Sequence, residues 1–564
     1  MKKFSGIKKE NVIICFIILT AVFLFWLPFI PKGMVNGWEI AFQYSRVLTL
    51  IQSLQEGIFP AKLRPMHMKG YGYGVGFFYP DFFIYPAAIA AYLGVDPEVA
   101  TKFFTVLIIV TGSFVSYKLY EKDTENRFIA LIGVILLIGS RINYKNYILG
   151  AGFPHLCAYL FMPMAIMGLL HGLKGEKRGY IAYAFGLASV VLSHHLIFLT
   201  MIFTMVIIVI YHIGEIIKNP KPFVILLAIS FADLAFTTAY WLPALEQAMK
   251  IKLIALYDNS YDITEHILSL GEIVFTEIGL PMFVTFIAAC IVYLVLMFRG
   301  VKMGTDIGSL FITNLILLVV SCNRMLWLSG FGTVFGFFQY TERFIFVMTV
   351  LMITFIVMVI REVYRAYQLS FLEDKRAFSV LGVVFLLVLT VITRCDNKPD
   401  FFNLDSYSRS EYGYELLEKD YNVSGAEWLP MECEPSECKT PNTSKADDGS
   451  GAEGFKHDHD KYYEVWVDLS KNYYDVPYVY YYGYKAYIVD DNMNPTRELA
   501  VGEAIDDNGL TRVYMPQEEG FGHIMVTYRK TTVQKVSYVI SIISFLAIVA
   551  ASLILWKKDK SLHK

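Results

Sequence analysis

Glu342-Arg343-Phe-Ile-Phe-Val-Met-Thr-Val-Leu-Met-Ile-Thr-Phe-Ile-Val-Met-Val-Ile-Arg361-Glu362 carries no charge between Arg343 and Arg361. Crossing a bilayer takes about 20 mostly apolar residues, because a helix satisfies its own backbone polar groups where no water can. This stretch meets that requirement. Working outward, eleven more runs read the same way: 11–31, 98–119, 126–141, 155–173, 180–194, 195–213, 221–245, 278–298, 305–322, 377–393 and 534–556. Phe77 to Gly94 is also apolar, but it is short and interrupted by Pro80, Asp81 and Pro86, so it reads as a re-entrant or interfacial helix.

Composition agrees. Of 564 residues, 55% are hydrophobic and 18% charged, against about 45–50% and about 25% in a soluble chain. A cytosolic enzyme, a disordered protein and a nucleic-acid binder are set aside on these grounds. Seven cysteines in this length do not make a disulfide scaffold. The N-terminal run is long, lacks a small-residue cleavage site and continues into Trp26, Pro28 and Pro31, so it reads as a span and not a signal peptide.

Charge fixes the sides. Lys2, Lys3, Lys8 and Lys9 precede the first run, and Lys557, Lys558, Lys560 and Lys564 follow the last. Both ends are expected in the cytoplasm, which requires an even number of spans, about twelve. The basic loops at 118–127, 174–178, 218–221, 299–302 and 361–376 then all fall inside. Outside lie 32–97, 142–154, the turn at 193–195, 246–277, 323–341 and 394–533.

Residues 394–533 hold about twice as many acidic as basic residues, which leaves the rest of the chain basic. Tyr463-Glu-Val-Trp-Val-Asp-Leu and Gly522-His-Ile-Met-Val-Thr-Tyr alternate as strands do, and Asp507-Asn508-Gly509 and Gly520 signal turns. A small sandwich-like or barrel-like β domain is expected there. Within it, 431–460 reads as a flexible insertion, with Cys433 and Cys438 placed to close a small loop and Cys395 a competitor. His457-Asp-His459 reads as a solvated charge run, and Asn422 and Asn442 head sequons that matter only in a glycosylating pathway. The expected organisation is a membrane bundle over 1–393, the outer β domain over 394–533, and a final span with a basic tail over 534–564.

The first outer loop carries the chemistry. Glu39, Gln43 and Arg46 fall on one face of an amphipathic helix over 36–57, expected to lie on the outer surface. The plain alternative is a solvated face. Gly70-Tyr-Gly-Tyr-Gly-Val-Gly-Phe-Phe-Tyr79-Pro80-Asp81 offers four alternate glycines for close approach of a ligand and aromatics suited to sugar rings. Ionisable and polar residues gather at outer ends and in outer loops: Glu39, Arg46, Arg64, His67, Asp81, Asn143, Lys145, His155, His194, His195, Glu246, Gln339, Glu342 and Arg343. Charge near a membrane is a functional hypothesis by default. Each has a structural alternative: a helix cap for His194 and His195, an N-cap for Asp81, backbone satisfaction for His155, and snorkelling for Arg343. Asp233, near mid-span, is expected to face the bundle interior.

These motifs, with Gly152-Phe-Pro-His155, Leu192-Ser-His194-His195, Tyr240-Trp-Leu-Pro243, Gln339-Tyr-Thr-Glu-Arg343-Phe and the closing Tyr481-Tyr-Gly-Tyr-Lys-Ala486, resemble in order and spacing the YfhO-like membrane proteins. That group belongs to the GT-C glycosyltransferase superfamily and is also catalogued as related to 6-pyruvoyl-tetrahydropterin synthase. The resemblance implies a GT-C-like bundle and transfer of a sugar from a polyprenyl-phosphate donor to an extracytoplasmic acceptor, with inversion at the anomeric carbon. Where the family usually has Asp followed by Phe-His, this chain has Glu39 and Gln43; Glu keeps a carboxylate base, one methylene longer. The implied roles are Glu39 and Asp81 as catalytic carboxylates. Arg46, Arg343, Gln339, His155, His194, His195, Tyr79 and Gln43 would bind donor phosphate or substrate. No His, Cys and acidic set has metal-ligand spacing; a divalent cation at Glu39 or Asp81 is left open. Membrane lipid, the lipid-linked donor and a cell-surface polymer or glycolipid acceptor are the expected partners. A lipid-linked saccharide transporter and a catalytically inactive envelope-binding protein are the other readings. The transporter is disfavoured by the absence of an internal repeat.

Overall fold

The computed structural model describes residues 9–258, 262–418, 427–440, 442–457 and 462–562. Lys2, Lys3, Lys8, Lys564, Asn422 and His459, all used in the sequence reading, lie outside them. Each of the twelve apolar runs holds a helix. Among the described residues nine helices are long and apolar enough to cross a membrane, and Lys221–Phe236 with Thr238–Lys250, bent by 67° at their junction, makes a tenth candidate. The Lys177–Val191 and His195–Tyr211 helices, 15 and 17 residues, are shorter. Length and composition fit these helices to a membrane.

Helix starts follow local chemistry. Asp96 accepts the Val99 N–H ahead of Pro97, and Asn126 accepts those of Phe128 and Ile129. Glu342–Tyr367 is apolar on every side between its end charges, so it sits at the centre of the bundle with Phe344 to Val359 buried. Phe153–Leu173 packs on Lys177–Val191 through glycines: a Cβ on Gly168 would meet the Tyr183 backbone, and one on Gly186 the Ala165 backbone. Asp233 is buried, 2% exposed, and its carboxylate has no hydrogen-bond partner among the described residues.

Outside the bundle lies a continuous nine-stranded antiparallel sheet. A short ladder, β1 (Met34–Val35) with β2 (Arg409–Ser410), leads to it. Its strands are β3 (Thr443–Ala446), β4 (Gly451–His457), β5 (Tyr462–Asp468), β6 (Tyr473–Val479), β7 (Tyr484–Val489), β8 (Pro495–Leu499), β9 (Val501–Glu503), β10 (Leu510–Tyr514) and β11 (Phe521–Tyr528). The order is β8-β7-β11-β5-β4-β3-β6-β10-β9. β9 returns against β7, so the sheet curls into a barrel-like shape and not a two-layer sandwich. Alternation sets the inner face: Tyr463 and Val465 of β5 pair with Val526 and Ile524 of β11, and all four are buried.

Three expectations need correction. The described part of 431–460 is not a loose insertion; β3 and β4 occupy the middle of the sheet, and Cys433 and Cys438 are buried in the domain core. Its polar composition reflects β4, of which only Gly454 is buried. The segment 77–94 is two short helices, Val75–Phe78 and Tyr85–Tyr92. The Ile40–Gln55 helix does not lie on the surface but is buried on nearly every side.

The first outer loop is the joint between the two bodies. Phe42, Tyr71, Tyr73, Phe77 and Phe78 share one apolar core with Tyr463, Tyr478 and Tyr481 of the sheet domain. The alternate glycines serve this joint: a Cβ on Gly74 would meet the Tyr481 ring, and one on Gly76 the Ala61 and Lys62 carbonyls. Their freedom brings protein, not ligand, close to the backbone.

Candidate functional site

The spacing Glu39, Gln43, Arg46 becomes a chain of hydrogen bonds along one helix face. Gln43 Nε2 donates to Glu39 Oε2 at 2.9 Å, and Arg46 donates to Gln43 Oε1 at 2.8 Å. Arg46 then pairs with Asp81 Oδ1 at 2.9 Å, and Arg64 donates to Asp81 Oδ2. Arg46 and Arg64 are 0% exposed. Buried charge is tolerated only when paired, and here two guanidiniums hold one carboxylate. Asp81 is therefore neither a free base nor an N-cap, and Arg46 is not an open phosphate-binding group. Together with Arg64 they form an internal brace that fixes Gln43, and through it Glu39.

Glu39 itself faces a cleft of about 260 Å³ between the bundle and the sheet domain. Tyr79, His155, His194, Arg343 and Glu427 share its walls. Glu39 is positioned by its own N–H, which donates to the Gly150 carbonyl at 3.0 Å. The approach is close because Gly37 has no side chain; a Cβ there would meet the Leu149 carbonyl. Burial raises the Glu39 carboxyl above its ordinary value, while the Gln43 hydrogen bond and Arg46 pull it back.

Arg343 stands on a strained turn. Gln339 has φ 64° and ψ −42°, and the Tyr340 N–H donates to the Phe338 carbonyl at 2.7 Å, which makes a γ-turn of the rare, strained hand. Arg343 Nη1 donates to that same Phe338 carbonyl and to Gln339 Oε1 at 3.2 Å, and its guanidinium lies 4.9 Å from the Tyr340 ring centre. Among the described residues it makes no ion pair with a carboxylate. Glu342 beside it is engaged by Lys145 at 3.4 Å and Asn146 at 3.2 Å. The cleft thus presents a guanidinium whose charge is not cancelled by direct pairing.

Two imidazoles, His155 and His194, complete the wall, with His195 next to them. His155 and His194 ring centres are 4.5 Å apart, and His194 and His195 are 5.4 Å apart. His194 Nδ1 accepts the Ile197 N–H at 3.4 Å, so it caps the following helix. Nδ1 of His155 and of His195 is buried with no hydrogen-bond partner. Among the described residues no three His, Cys, Asp or Glu side chains converge as metal ligands do.

Sequence reading missed Glu427. Tyr79 donates its phenol hydrogen to Glu427 Oε2 at 3.1 Å, and the neighbouring Trp428 stacks on Phe78 with ring centres 4.5 Å apart. Burial pushes the Glu427 carboxyl up to about 7, and the Glu39 charge adds to the effect. Nothing local marked it, since its partner lies 348 residues away. The cleft is therefore lined by three carboxylates, Glu39, Glu342 and Glu427, and one cation, Arg343, with the imidazoles of His155 and His194.

No family model matches the chain. It is similar, at 27% identity over 249 residues, to an uncharacterized protein of Lactococcus lactis subsp. cremoris (strain MG1363). The match covers 43% of this chain and 39% of that protein, so the chain spans about two fifths of its relative's length.

Proposed function

We propose that the chain is a membrane glycosyltransferase of the GT-C type, with twelve spans and both ends in the cytoplasm. It moves a sugar from a polyprenyl phosphate to an extracytoplasmic envelope acceptor. The observation that carries this reading is the cleft in which Glu39 and the carboxylate-free Arg343 share one wall between bundle and sheet domain. A lipid-borne donor has a tail that must stay in the bilayer and a head that must meet a polar acceptor, and a cleft at this junction serves both. In the reaction the acceptor hydroxyl oxygen forms a bond to the anomeric carbon. The bond from that carbon to the phosphate oxygen breaks, and the lipid phosphate leaves with the electron pair. Glu39 takes the hydroxyl proton, and Arg343 balances the charge on the departing phosphate. His155 Nδ1, which has no hydrogen-bond partner among the described residues, is available to orient sugar hydroxyls, and Gln43 positions Glu39.

Reconstitution with a panel of polyprenyl-phosphate sugars tests it. Glu39→Gln is expected to lower kcat about 10²–10⁴-fold, and Arg343→Gln about 10²–10³-fold. Equal transfer by wild type and Glu39→Gln would sink the assignment of the base. Saccharide-lipid flipping without transfer from any donor would replace the reading with a transporter.

A further inference from the structure

A second cavity of about 260 Å³ lies where the first outer loop, the sheet domain and the start of the last helix meet. It is separate from the cleft and shares none of its lining residues. Two half-buried ammonium groups, Lys62 and Lys530, line it together with Tyr478, Tyr484, Tyr528 and Gln534, and no carboxylate is among its lining residues. This is a cationic hollow against a markedly acidic domain. Lys530 donates to the Phe59 carbonyl. The carboxylate whose charge acts on Lys62 is Asp81, already bonded by Arg46 and Arg64. Among the described residues neither ammonium makes an ion pair with a carboxylate; Lys62 lies 5.8 Å from the Tyr240 ring centre and Lys530 5.9 Å from that of Tyr538, and burial pushes Lys62 down to about 8 and lowers Lys530 as well.

A second observation is independent of charge. Gln534 is 0% exposed, and its Nε2 donates to the Tyr528 phenol oxygen at 2.8 Å, but its Oε1 has no hydrogen-bond partner. A buried amide oxygen left without a donor is costly, on the order of 1–3 kcal/mol. Such an atom on the wall of a hollow calls for a hydroxyl. The rings supply flat apolar faces: Tyr478 stacks on Tyr484 at 5.3 Å, and Tyr528 meets Tyr484 edge-on at 5.4 Å. The volume suits a sugar ring and not a single water.

We propose that this cavity binds an anionic saccharide, a sugar bearing a phosphate or carboxylate, with Lys62 and Lys530 on the anion and Gln534 Oε1 on a ring hydroxyl. The site is a binding site and needs no turnover, so it stands or falls apart from the transfer reading.

Calorimetry on the full chain in nanodiscs of neutral lipid tests it, with glucose 6-phosphate, glucuronate, glucose and inorganic phosphate as probes. Glucose 6-phosphate or glucuronate is expected to bind at least tenfold more tightly than glucose and than inorganic phosphate. Lys62→Gln with Lys530→Gln should lose at least tenfold in affinity for the charged sugars. Gln534→Leu should weaken them several-fold and leave inorganic phosphate unchanged, while Glu39→Gln and Arg343→Gln keep wild-type binding. Lys530→Gln alone, judged only at an unaltered unfolding temperature, guards against a folding defect and should still lose several-fold. Equal binding of phosphate and glucose 6-phosphate would reduce the cavity to a bare anion site. Retained affinity in the double variant would remove the lysines from it. If no charged sugar binds, and phosphatidylglycerol copurifies with wild type but not with the double variant, the ligand is a lipid headgroup and the proposal fails.

Discussion

Asp81 shows how a residue of the right type in the right loop comes to do structural work. Its two oxygens are divided between Arg46 and Arg64, all three side chains are buried, and the chain of bonds runs on through Gln43 to Glu39. Removing the charge leaves two buried guanidiniums uncompensated, which costs about 3–5 kcal/mol. Asp81→Asn is expected to lower the unfolding temperature sharply; an unfolding temperature equal to wild type would mean the brace carries no load. Glu427 behaves differently. Its folded carboxyl titrates at about 7 because it is buried, against about 4.3 in an unfolded chain. The folded state therefore holds the proton longer. Its contribution to stability is greatest below about 4.3, falls as pH rises between about 4.3 and about 7, and is level above that. Glutamine in its place has no proton to lose, so the Glu427→Gln variant should gain unfolding temperature over wild type as pH rises from 5 to 8. A difference independent of pH would remove Glu427 from the buried set.

Elements were legible in the sequence in proportion to how locally they are determined. A bilayer dictates the length and polarity of whatever crosses it, so each of the twelve apolar runs could be placed without knowing its neighbours. The 3.6-residue period put Glu39, Gln43 and Arg46 on one face before any contact was known, and that face is hydrogen-bonded end to end. What the period cannot say is what covers the face, and the Ile40–Gln55 helix is enclosed by protein instead of solvent: Phe42 sits in the joint with the sheet domain, while Tyr44, Val47, Leu48 and Ile51 pack with Ala61, Ile84, Ala88 and Leu416. The alternate glycines at 70–76 were misread for the same reason, because the Tyr481 ring that Gly74 makes room for lies about four hundred residues away in the chain; the strands inside 431–460 pair with near neighbours, β5 and β6, and were hidden by their polar composition instead. The γ-turn at Gln339 is a further case, since nothing in Phe338-Gln339-Tyr340 announces a positive φ. It holds Arg343 on two acceptors, one of them the Gln339 side chain. Glycine adopts this backbone freely, so Gln339→Gly is expected to stabilise the protein by about 1 kcal/mol. The same change removes one of those acceptors and frees the guanidinium, so transfer should fall while the unfolding temperature rises. A variant that gains stability and keeps full activity would show that the strain has no part in presenting Arg343.

At the scale of the whole molecule, sidedness decides which chemistry the cleft can meet. The sheet domain closes one wall through Glu427, and the bundle supplies the other through His155, His194 and Arg343. The cleft and the sheet domain must therefore face the same compartment. On the proposed topology, with the basic loops retained in the cytoplasm, that compartment is expected to be the outside. The test uses single cysteines at exposed sites and an impermeant maleimide on intact cells. Asp491→Cys, in the exposed turn between β7 and β8, should label before lysis; Lys9→Cys, at the start of the first helix, should label only after it. Native cysteines are replaced first so that the signal has one source. The reverse pattern would carry Glu39, Arg343 and Glu427 to the cytoplasmic face, where an acceptor belonging to the envelope is out of reach. Labelling of both sites before lysis would make the number of spans odd, and the crossings least determined by length, the Lys177–Val191 and His195–Tyr211 helices and the bent pair at Thr237, are where the missing or extra crossing would lie.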